Sequence, residues 1–230
     1  LLKKIDEKNG KPVVLFEFRT HNKYSKRLYY SFKPIWQAFH WFDMKFANPF
    51  IPALNLGFDA FGPFYPDPNV EVATVDGNAR RSGVDETYAT IRGGAGTASN
   101  DTGDYDSAWV LTATTTSNQF STNCRSVFLF DSASIPDGVN VDSGTFSVFG
   151  NSKSNGLSET SANAGGSLVD STPASNTAVA NGDYSNVGTT KQATDVAYDS
   201  ISTTAYNDWT LNAPGKLSVN LSGITKFGIR

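Results

Sequence analysis

The sequence predicts a mainly β protein built as an antiparallel sandwich, preceded by a small N-terminal α/β segment and an extended proline-rich arm. Gly, Ser, Thr, Asn and Asp are abundant after residue 65, which is typical of many short strands joined by turns. The stretch 125–131, which has four consecutive apolar residues, runs into a Pro/Gly turn and is followed by a second, alternating stretch. With a hydrophobic content of 39%, the chain can bury a core between such sheets.

Charged and aromatic residues divide the 230 residues into two regions. Residues 1–65 contain ten Lys/Arg against five Asp/Glu, whereas residues 66–230 contain nine against seventeen. The net charges are therefore +5 and −8, which agree with the overall −3. Sixteen aromatic residues also lie in the first region. We expect two units, an anchoring N-terminal segment (1–65) and a β-sandwich (66–230).

The N-terminal segment is expected to combine short regular elements with an arm. Residues 1–9 predict an amphipathic helix, and residues 12–18 are rich in β-forming residues. Apolar residues recur on one face over residues 35–48, which predicts a second helix that ends before a proline. Residues 48–68 contain five prolines, so we expect an extended arm without regular structure that packs on a partner.

Beyond residue 68, we expect short strands separated by turn-rich stretches. Residues 150–195 are weakly apolar, so we expect long surface excursions there with one or two strands. The expected strands are 70–75, 88–92, 108–114, 125–131, 145–149, 208–211, 216–219 and 226–230.

The strand expected over residues 125–131 is apolar on both sides. Val127 and Leu129 alternate with Phe128 and Phe130, so large side chains point to both faces of any sheet that contains them. A strand of this kind is central and is covered on both faces.

Three stretches in this part of the chain resemble a known module. They read Arg125-Ser-Val-Phe-Leu-Phe-Asp131, Ser134-Ile-Pro-Asp-Gly138 and Val141-Asp-Ser-Gly-Thr-Phe-Ser-Val-Phe149. Together they resemble the central signature of DNRLRE-type modules, which are similar to carbohydrate-binding jelly rolls and occur in large cell-surface proteins. Residues 86–92 resemble the opening strand of that module. The resemblance implies a jelly-roll sandwich and does not name a ligand.

Four further stretches are similar to one variant of the module. They read Tyr65-Pro-Asp-Pro68, Thr74-Val-Asp-Gly77, Ala79-Arg-Arg-Ser-Gly83 and Thr90-Ile-Arg-Gly-Gly-Ala-Gly96. This variant resembles proteins of uncultivated tailed phages and related metagenomic contigs, in which an aromatic N-terminal segment precedes the module. The resemblance covers essentially the whole chain and implies a virion surface protein.

Members of the family continue past the position of Arg230 to a closing strand that this sequence lacks. Either the sequence is truncated, or a neighbouring subunit supplies the missing strand. The second alternative is physically reasonable because an open sheet edge is a pairing site.

Three aspartates form a candidate calcium site. Asp101, Asp104 and Asp106 lie in a Gly/Asn-rich loop, and calcium prefers several oxygen ligands from flexible loops. Their spacing lacks the glycine and the terminal glutamate of an EF-hand. The alternative is a solvated acidic turn, and no other cofactor is expected.

Two tryptophans are candidate sugar contacts. Trp109 and Trp209 lie in expected strands, and the faces of their rings could pack on the apolar faces of a sugar. The alternative is that both pack in the core of the sandwich, which is the commoner place for aromatic residues.

The basic and aromatic residues of the N-terminal segment are candidates for docking to a particle. Clustered Lys and Arg interleaved with aromatic residues can meet an acidic protein surface, or be no more than a solvated basic face. We expect no nucleic-acid partner, because the rest of the chain is acidic. The docking candidates are Arg19, Lys26, Arg27, Tyr29, Tyr30, Trp36, Trp41, Phe50 and Phe61.

The distribution of histidines argues against an enzyme. His21 and His40 both precede residue 66, so the expected sandwich contains no Ser–His arrangement. No run of about 18 apolar residues predicts a membrane span.

The leading hypothesis is a non-enzymatic virion structural protein, a capsid decoration, tail or fibre component anchored by residues 1–65. Its partners would be other virion proteins and copies of itself. The alternative is an extracellular carbohydrate-binding or adhesion module of a cell-surface protein, with a glycan as its ligand.

Overall fold

The computed structural model describes residues 15–21, 59–102, 109–154 and 165–230, with residues 15–21 and 59 described by their backbone alone. The protein is mainly β, with antiparallel sheets, a buried aromatic core and short helices. The strands are β1 (Leu15–His21), β2 (Asp59–Phe64), β3 (Asp76–Thr87), β4 (Ala98–Asn100), β5 (Trp109–Ala113), β6 (Gln119–Asp131), β7 (Asn140–Phe149), β8 (Gly165–Gly166), β9 (Leu168–Ser171), β10 (Val187–Lys191), β11 (Val196–Ala197), β12 (Tyr206–Thr210) and β13 (Ile224–Ile229). The helices are α1 (Tyr88–Gly93), α2 (Asp183–Asn186) and α3 (Ala213–Leu217), and residues Tyr198–Ser200 form a 3₁₀ turn.

The strands form two main sheets. The small sheet has four strands in the order β12-β7-β1-β2. The large sheet has seven, in the order β10-β9-β13-β6-β3-β4, with β5 also paired to β6. Strands β11 and β8 form a separate pair.

Strand β6 organises the large sheet because it is long enough to pair with three other strands. On one side it pairs with β3 from Gln119 to Phe128. On the other side β13 pairs with Ser126–Asp131, and β5 pairs with the residues from Phe120 to Arg125. Strands β13 and β5 therefore lie end to end along the same side of β6.

An aromatic core, the inter-sheet core, lies between the two sheets. Phe146 of β7 makes edge-to-face contacts with Phe128, Phe130, Phe227 and Trp209, with ring centroids 5.2–6.1 Å apart. All five rings are buried. Because they come from β6, β7, β12 and β13, burying them joins the two sheets in a β-sandwich-like arrangement.

A second core, the outer core, covers the opposite face of the large sheet. Val127 and Leu129 of β6 are fully buried there against Ala79, Val169 and Tyr184. Phe128 and Phe130 of the same strand point into the inter-sheet core. The prediction that residues 125–131 form a central strand covered on both faces is confirmed.

One of the expected strands is a helix instead, and a second lies partly in one. Residues 88–92 lie in α1, because the Thr87 side chain accepts a hydrogen bond from the Thr90 N–H and caps the first turn. Residues 216 and 217 lie in α3, which Asn212 caps by accepting a hydrogen bond from the Gly215 N–H. In both places a local cap determines the structure of a stretch whose composition is compatible with a strand.

The strand expected over residues 70–75 is a loop. One carboxylate oxygen of Asp67 accepts hydrogen bonds from the N–H groups of Val72, Ala73 and Thr74, at 2.6–3.1 Å. These donors are therefore unavailable to a β-ladder. The loop exposes Val70 and Val72, which are 88% and 86% accessible.

Other boundaries also differ from the expectation. The sequence predicts no regular structure for the proline-rich residues 48–68, but β2 (Asp59–Phe64) lies within them. Strand β1 pairs with both β2 and β7, so both strands of the predicted anchoring segment belong to the small sheet. Within residues 150–195, β9 and β10 provide buried Leu168, Val169 and Val187.

Candidate functional site

A cluster of arginine and tyrosine side chains lies beside the outer core, where β6, α1, α2 and β13 meet. We call Tyr88, Arg92, Arg125, Tyr184 and Arg230 the arginine–tyrosine cluster. Arg125 and Tyr184 are buried, Arg230 is half-buried, and Tyr88 and Arg92 are exposed. The cluster therefore extends from the interior to the surface.

Arg125 joins the cluster to the large sheet. It precedes the apolar run of β6 and is only 4% exposed. Its guanidinium lies over the Tyr184 ring, 3.9 Å from the centroid. Its Nη1 donates to the Tyr184 carbonyl at 2.6 Å, and its Nη2 donates to the Arg92 carbonyl at 2.5 Å. One buried cation thus binds an aromatic face and two main-chain carbonyls.

Tyr184 forms the other half of this buried contact. Its hydroxyl donates to the carbonyl of Ile91 at 2.5 Å and accepts from the side-chain amide of Asn123 at 2.8 Å. Together, Tyr184 and Arg125 satisfy two carbonyls at the C-terminal end of α1. Burial raises the pKa of the Tyr184 phenol, while the nearby Arg125 charge lowers it.

The surface part of the cluster has an aromatic ring beside two guanidinium groups. The Tyr88 ring packs edge-on against Phe120, with centroids 5.7 Å apart, and Arg92 lies 5.8 Å from the Tyr88 centroid. The Nη1 of Arg230 donates to the Gly188 carbonyl at 2.6 Å. Contacts to main chain and rings therefore orient these side chains.

The arginines of the cluster repel one another. The pKa of Arg125 is lowered by burial, and the charges of Arg230 and Arg92 lower it further against an opposing effect of Tyr184. Burial also lowers the pKa of Arg230, again with a contribution from Arg92. Asp170 opposes that shift by attracting Arg230. Such mutual repulsion would be relieved by a bound negative charge.

Arg81, next to the cluster, is neutralised locally. Its Nε donates to Glu86 at 2.7 Å and its Nη2 donates to the other carboxylate oxygen at 2.5 Å. Its Nη1 donates to the carbonyl of Ala95. This bidentate pair compensates the Arg81 charge, whereas no carboxylate among the described residues makes an ion pair of this kind with Arg92, Arg125 or Arg230.

The candidate calcium residues are described in part. The Asp101 carboxylate accepts a hydrogen bond from the Val179 N–H at 2.7 Å, whereas Asp104 and Asp106 lie outside the described residues. Among the residues that the structure does describe, no group of three His, Cys, Asp or Glu side chains could bind a metal ion. The calcium site stays a prediction.

The two candidate sugar-binding tryptophans contact each other. Trp209 is 1% exposed, and its indole N–H donates to the Gly166 carbonyl at 2.9 Å. Trp109 is partly exposed and packs edge-on against it, with centroids 6.3 Å apart. This leaves Trp209 without a free face for stacking, so of the two only Trp109 has surface available to a ligand.

Most docking candidates lie outside the described residues. These are Lys26, Arg27, Tyr29, Tyr30, Trp36, Trp41 and Phe50. Arg19 is in β1, where its backbone pairs with Ser143 of β7. Phe61 of β2 is partly buried and packs against the inter-sheet core. Docking through these residues stays a prediction.

Sequence reasoning did not identify the arginine–tyrosine cluster. Its members come from positions between 88 and 230, and no spacing in the chain relates them. The available signal is Arg125, a charged residue two positions before the apolar run of residues 127–130. A charge in such a position needs partners because burying it alone is costly.

Comparisons with protein-family models, curated proteins and solved structures gave no match to this chain. No helix in the described parts of the chain has the length and apolar character needed to cross a membrane.

Proposed function

We propose that the chain is a non-enzymatic virion structural protein, a capsid decoration, tail or fibre component. Residues 1–65 dock it onto the particle through other virion proteins and copies of itself. Residues 66–230 form most of the displayed body, to whose small sheet β1 and β2 also contribute strands. For this body we propose the jelly-roll topology that the sequence signature implies.

The observation that supports this proposal is that residues 1–65 are rich in aromatic residues and positive charge, whereas the buried rings of the core come from residues 66–230. The five buried rings of the inter-sheet core belong to residues 66–230, and Phe61 and Phe64 of β2 pack against that core. Residues 1–65 contain sixteen further aromatic residues and a net charge of +5, next to a body of −8. A basic and aromatic segment on an acidic body is suited to burying apolar area against a partner.

Purified virions provide the test of this proposal. We expect mass spectrometry to find the full chain in them and electron microscopy to find it at symmetric positions. A full-length chain with Trp36→Ala and Trp41→Ala should be incorporated at least tenfold less, because aromatic residues commonly dominate interface energies. The control is Val84→Ala, at a side chain that is 89% exposed. Absence of the chain from particles, or normal incorporation of the double variant, would refute particle docking.

An extracellular carbohydrate-binding or adhesion module is the second candidate. The observation in its favour is Trp109, which is partly exposed and oriented by its contact with Trp209. On a glycan array, the wild-type chain should then bind a defined sugar, and Trp109→Ala should abolish the signal while the folded state persists. Equal binding by both chains, or no binding by either, would eliminate this candidate.

A further inference from the structure

The outward part of the arginine–tyrosine cluster is a small cationic surface with an aromatic edge. Tyr88 is 48% exposed and Arg92 is exposed beside its ring, while Arg230 is half-buried. Phe120 packs against the Tyr88 ring and is partly exposed itself. We call Tyr88, Arg92, Phe120 and Arg230 the cationic–aromatic patch.

Positive charge is in excess at this patch. Arg92 and Arg230 interact electrostatically with each other and with buried Arg125. Among the described residues, Asp170 is the carboxylate that acts on Arg230, and its Oδ1 already accepts from the Thr190 N–H at 2.8 Å. The nearby Arg81 is compensated by Glu86. Three guanidinium groups thus lie close enough to repel one another, and the one described carboxylate that acts on Arg230 already accepts another hydrogen bond.

Hydrogen bonds to the sheet hold the main chain beneath the patch in place. The backbone of α1 is tied to the sheet at both Ile91 and Arg92, through Tyr184 and Arg125 respectively. The Arg230 guanidinium donates through Nη1 to the Gly188 carbonyl, and within the described part of the chain its remaining N–H groups are available to other acceptors. Because little freedom is lost when a ligand binds such a surface, even a few contacts can give measurable affinity.

We propose that the cationic–aromatic patch binds an oxyanion, a carboxylate or a phosphate monoester, attached to an aromatic or other flat apolar group. Arg92 and Arg230 would donate to the oxyanion, and the apolar group would lie along the Tyr88 and Phe120 rings. A single oxyanion group suits the patch better than a long polyanion, because residues 66–230 have a net charge of −8 that repels extended negative chains. This site is independent of particle docking through residues 1–65.

Titration of the full chain with phenyl phosphate and benzoate, followed by NMR or calorimetry, tests the proposal. Inorganic phosphate and benzyl alcohol separate the anionic contribution from the apolar one. We expect phenyl phosphate or benzoate to bind at least threefold more tightly than inorganic phosphate, with benzyl alcohol weaker still. The tighter of the two ligands identifies the preferred oxyanion. Binding that is equal for benzyl alcohol and for the anions would overturn the proposal.

Variants localise the binding. Arg92→Gln and Arg230→Gln should each weaken phenyl phosphate binding about tenfold, because each removes a charge-assisted donor. Tyr88→Ala should weaken it about threefold. Arg80→Gln is the matched control, since it removes the same charge from an exposed residue outside the patch. If Arg80→Gln weakens binding as much as the two patch variants, or if a long polyanion such as heparin binds more tightly than phenyl phosphate, the proposed single-oxyanion site is wrong.

Discussion

The two faces of β6 are covered by different chemistry. On the inner face, Phe128 and Phe130 meet Phe146 of the opposite sheet, and packing of aromatic rings supplies the contact. On the outer face, the described residues that cover Val127 and Leu129 are side chains of the same sheet, of α2 and of the loops that contain Val75 and Val179, and not a second sheet. On this face, hydrogen bonds from the Arg125 and Tyr184 side chains to main-chain carbonyls lie next to the apolar contacts.

This difference shows what a strand needs when a second sheet does not cover it. A flat sheet face can bury large rings because the opposite sheet offers a matching apolar surface. A short helix or loop has main-chain carbonyls that it cannot satisfy internally, so covering a sheet with it requires donors. Arg125 and the Tyr184 hydroxyl provide those donors to α1 and α2. We therefore expect different kinds of substitution to destabilise the two faces.

The largest effect is expected in the inter-sheet core. Phe146→Ala should lower the free energy of unfolding by about 3–5 kcal/mol, because it removes a ring in contact with four others and leaves a cavity. Urea unfolding monitored by circular dichroism measures this. The control is Leu217→Ala, whose side chain is 86% exposed, with an expected change below about 0.5 kcal/mol. Similar changes for the two variants would show that the rings do not join the sheets.

A smaller loss is expected at the outer face from Arg125→Met. The change leaves the carbonyls of Arg92 and Tyr184 without their donor, and should cost about 2–3 kcal/mol in the same urea experiment. Arg125→Lys should recover part of the loss, because it restores a cation but not the planar, two-pronged donor. If Arg125→Met left the free energy of unfolding unchanged, the outer face would depend on apolar packing as the inner face does.

Tyr184→Phe separates the hydroxyl from the ring. It keeps the ring under the Arg125 guanidinium but removes the donor to Ile91 and the acceptor for Asn123. The expected cost is about 1–2 kcal/mol in thermal or urea unfolding. Tyr88→Phe, at a ring that is 48% exposed, is the control and should change stability by less than about 0.5 kcal/mol. An equal cost in both would assign the effect to something other than these two hydrogen bonds.

The smallest effect concerns the Asp67 loop, which leads into Val75 of the outer core. Hydrogen bonds from the N–H groups of Ala73, Thr74 and Val72 lower the pKa of Asp67, against an opposing effect of burial. Its carboxylate therefore stabilises the folded state above the unfolded pKa of about 3.9, and this contribution is lost as the pH falls through the lower folded-state pKa. Asp67→Asn should cost about 1 kcal/mol at pH 7.

The pH dependence of stability separates the contribution of the Asp67 charge from that of the shape of its side chain. The stability difference between the wild-type chain and Asp67→Asn should shrink steadily below pH 4, as measured by urea unfolding at a series of pH values. A difference that remained constant from pH 7 to pH 2 would mean that the ionised carboxylate does not order the loop.

The parts of the fold that were predictable from sequence are those in which side-chain alternation decides the structure. Val127, Leu129, Phe128 and Phe130 indicated a strand covered on both faces, and they form one. Strand β3 was missed because its sequence is largely polar and only Gly77, Asn78 and Ala79 are buried in a run. Pairing with β6 determines its structure, and such long-range pairing leaves no local pattern.

The sequence did not predict α1 or the arginine–tyrosine cluster, because both depend on residues that are distant in the chain. Helix α1 is set by the cap at Thr87 and by donors from Arg125 and Tyr184, the second of which is 93 residues away from its acceptor at Ile91. The arginine–tyrosine cluster was not predictable for the same reason. Its geometry arises only when β6, α1, α2 and β13 are all in place.

The end-to-end arrangement of β5 and β13 along β6 has a consequence for the order of folding. Strand β5 is close in sequence to β6, so the two can pair as a hairpin soon after they leave the ribosome. Strand β13 is far from β6, and the hydrogen bond between the Ser132 and Thr225 hydroxyls, 2.6 Å long, joins residues 93 positions apart. Until β13 has been synthesised, residues 126–131 of β6 lack this pairing partner next to Phe128 and Phe130, so we expect the nascent chain to be prone to aggregation at this strand.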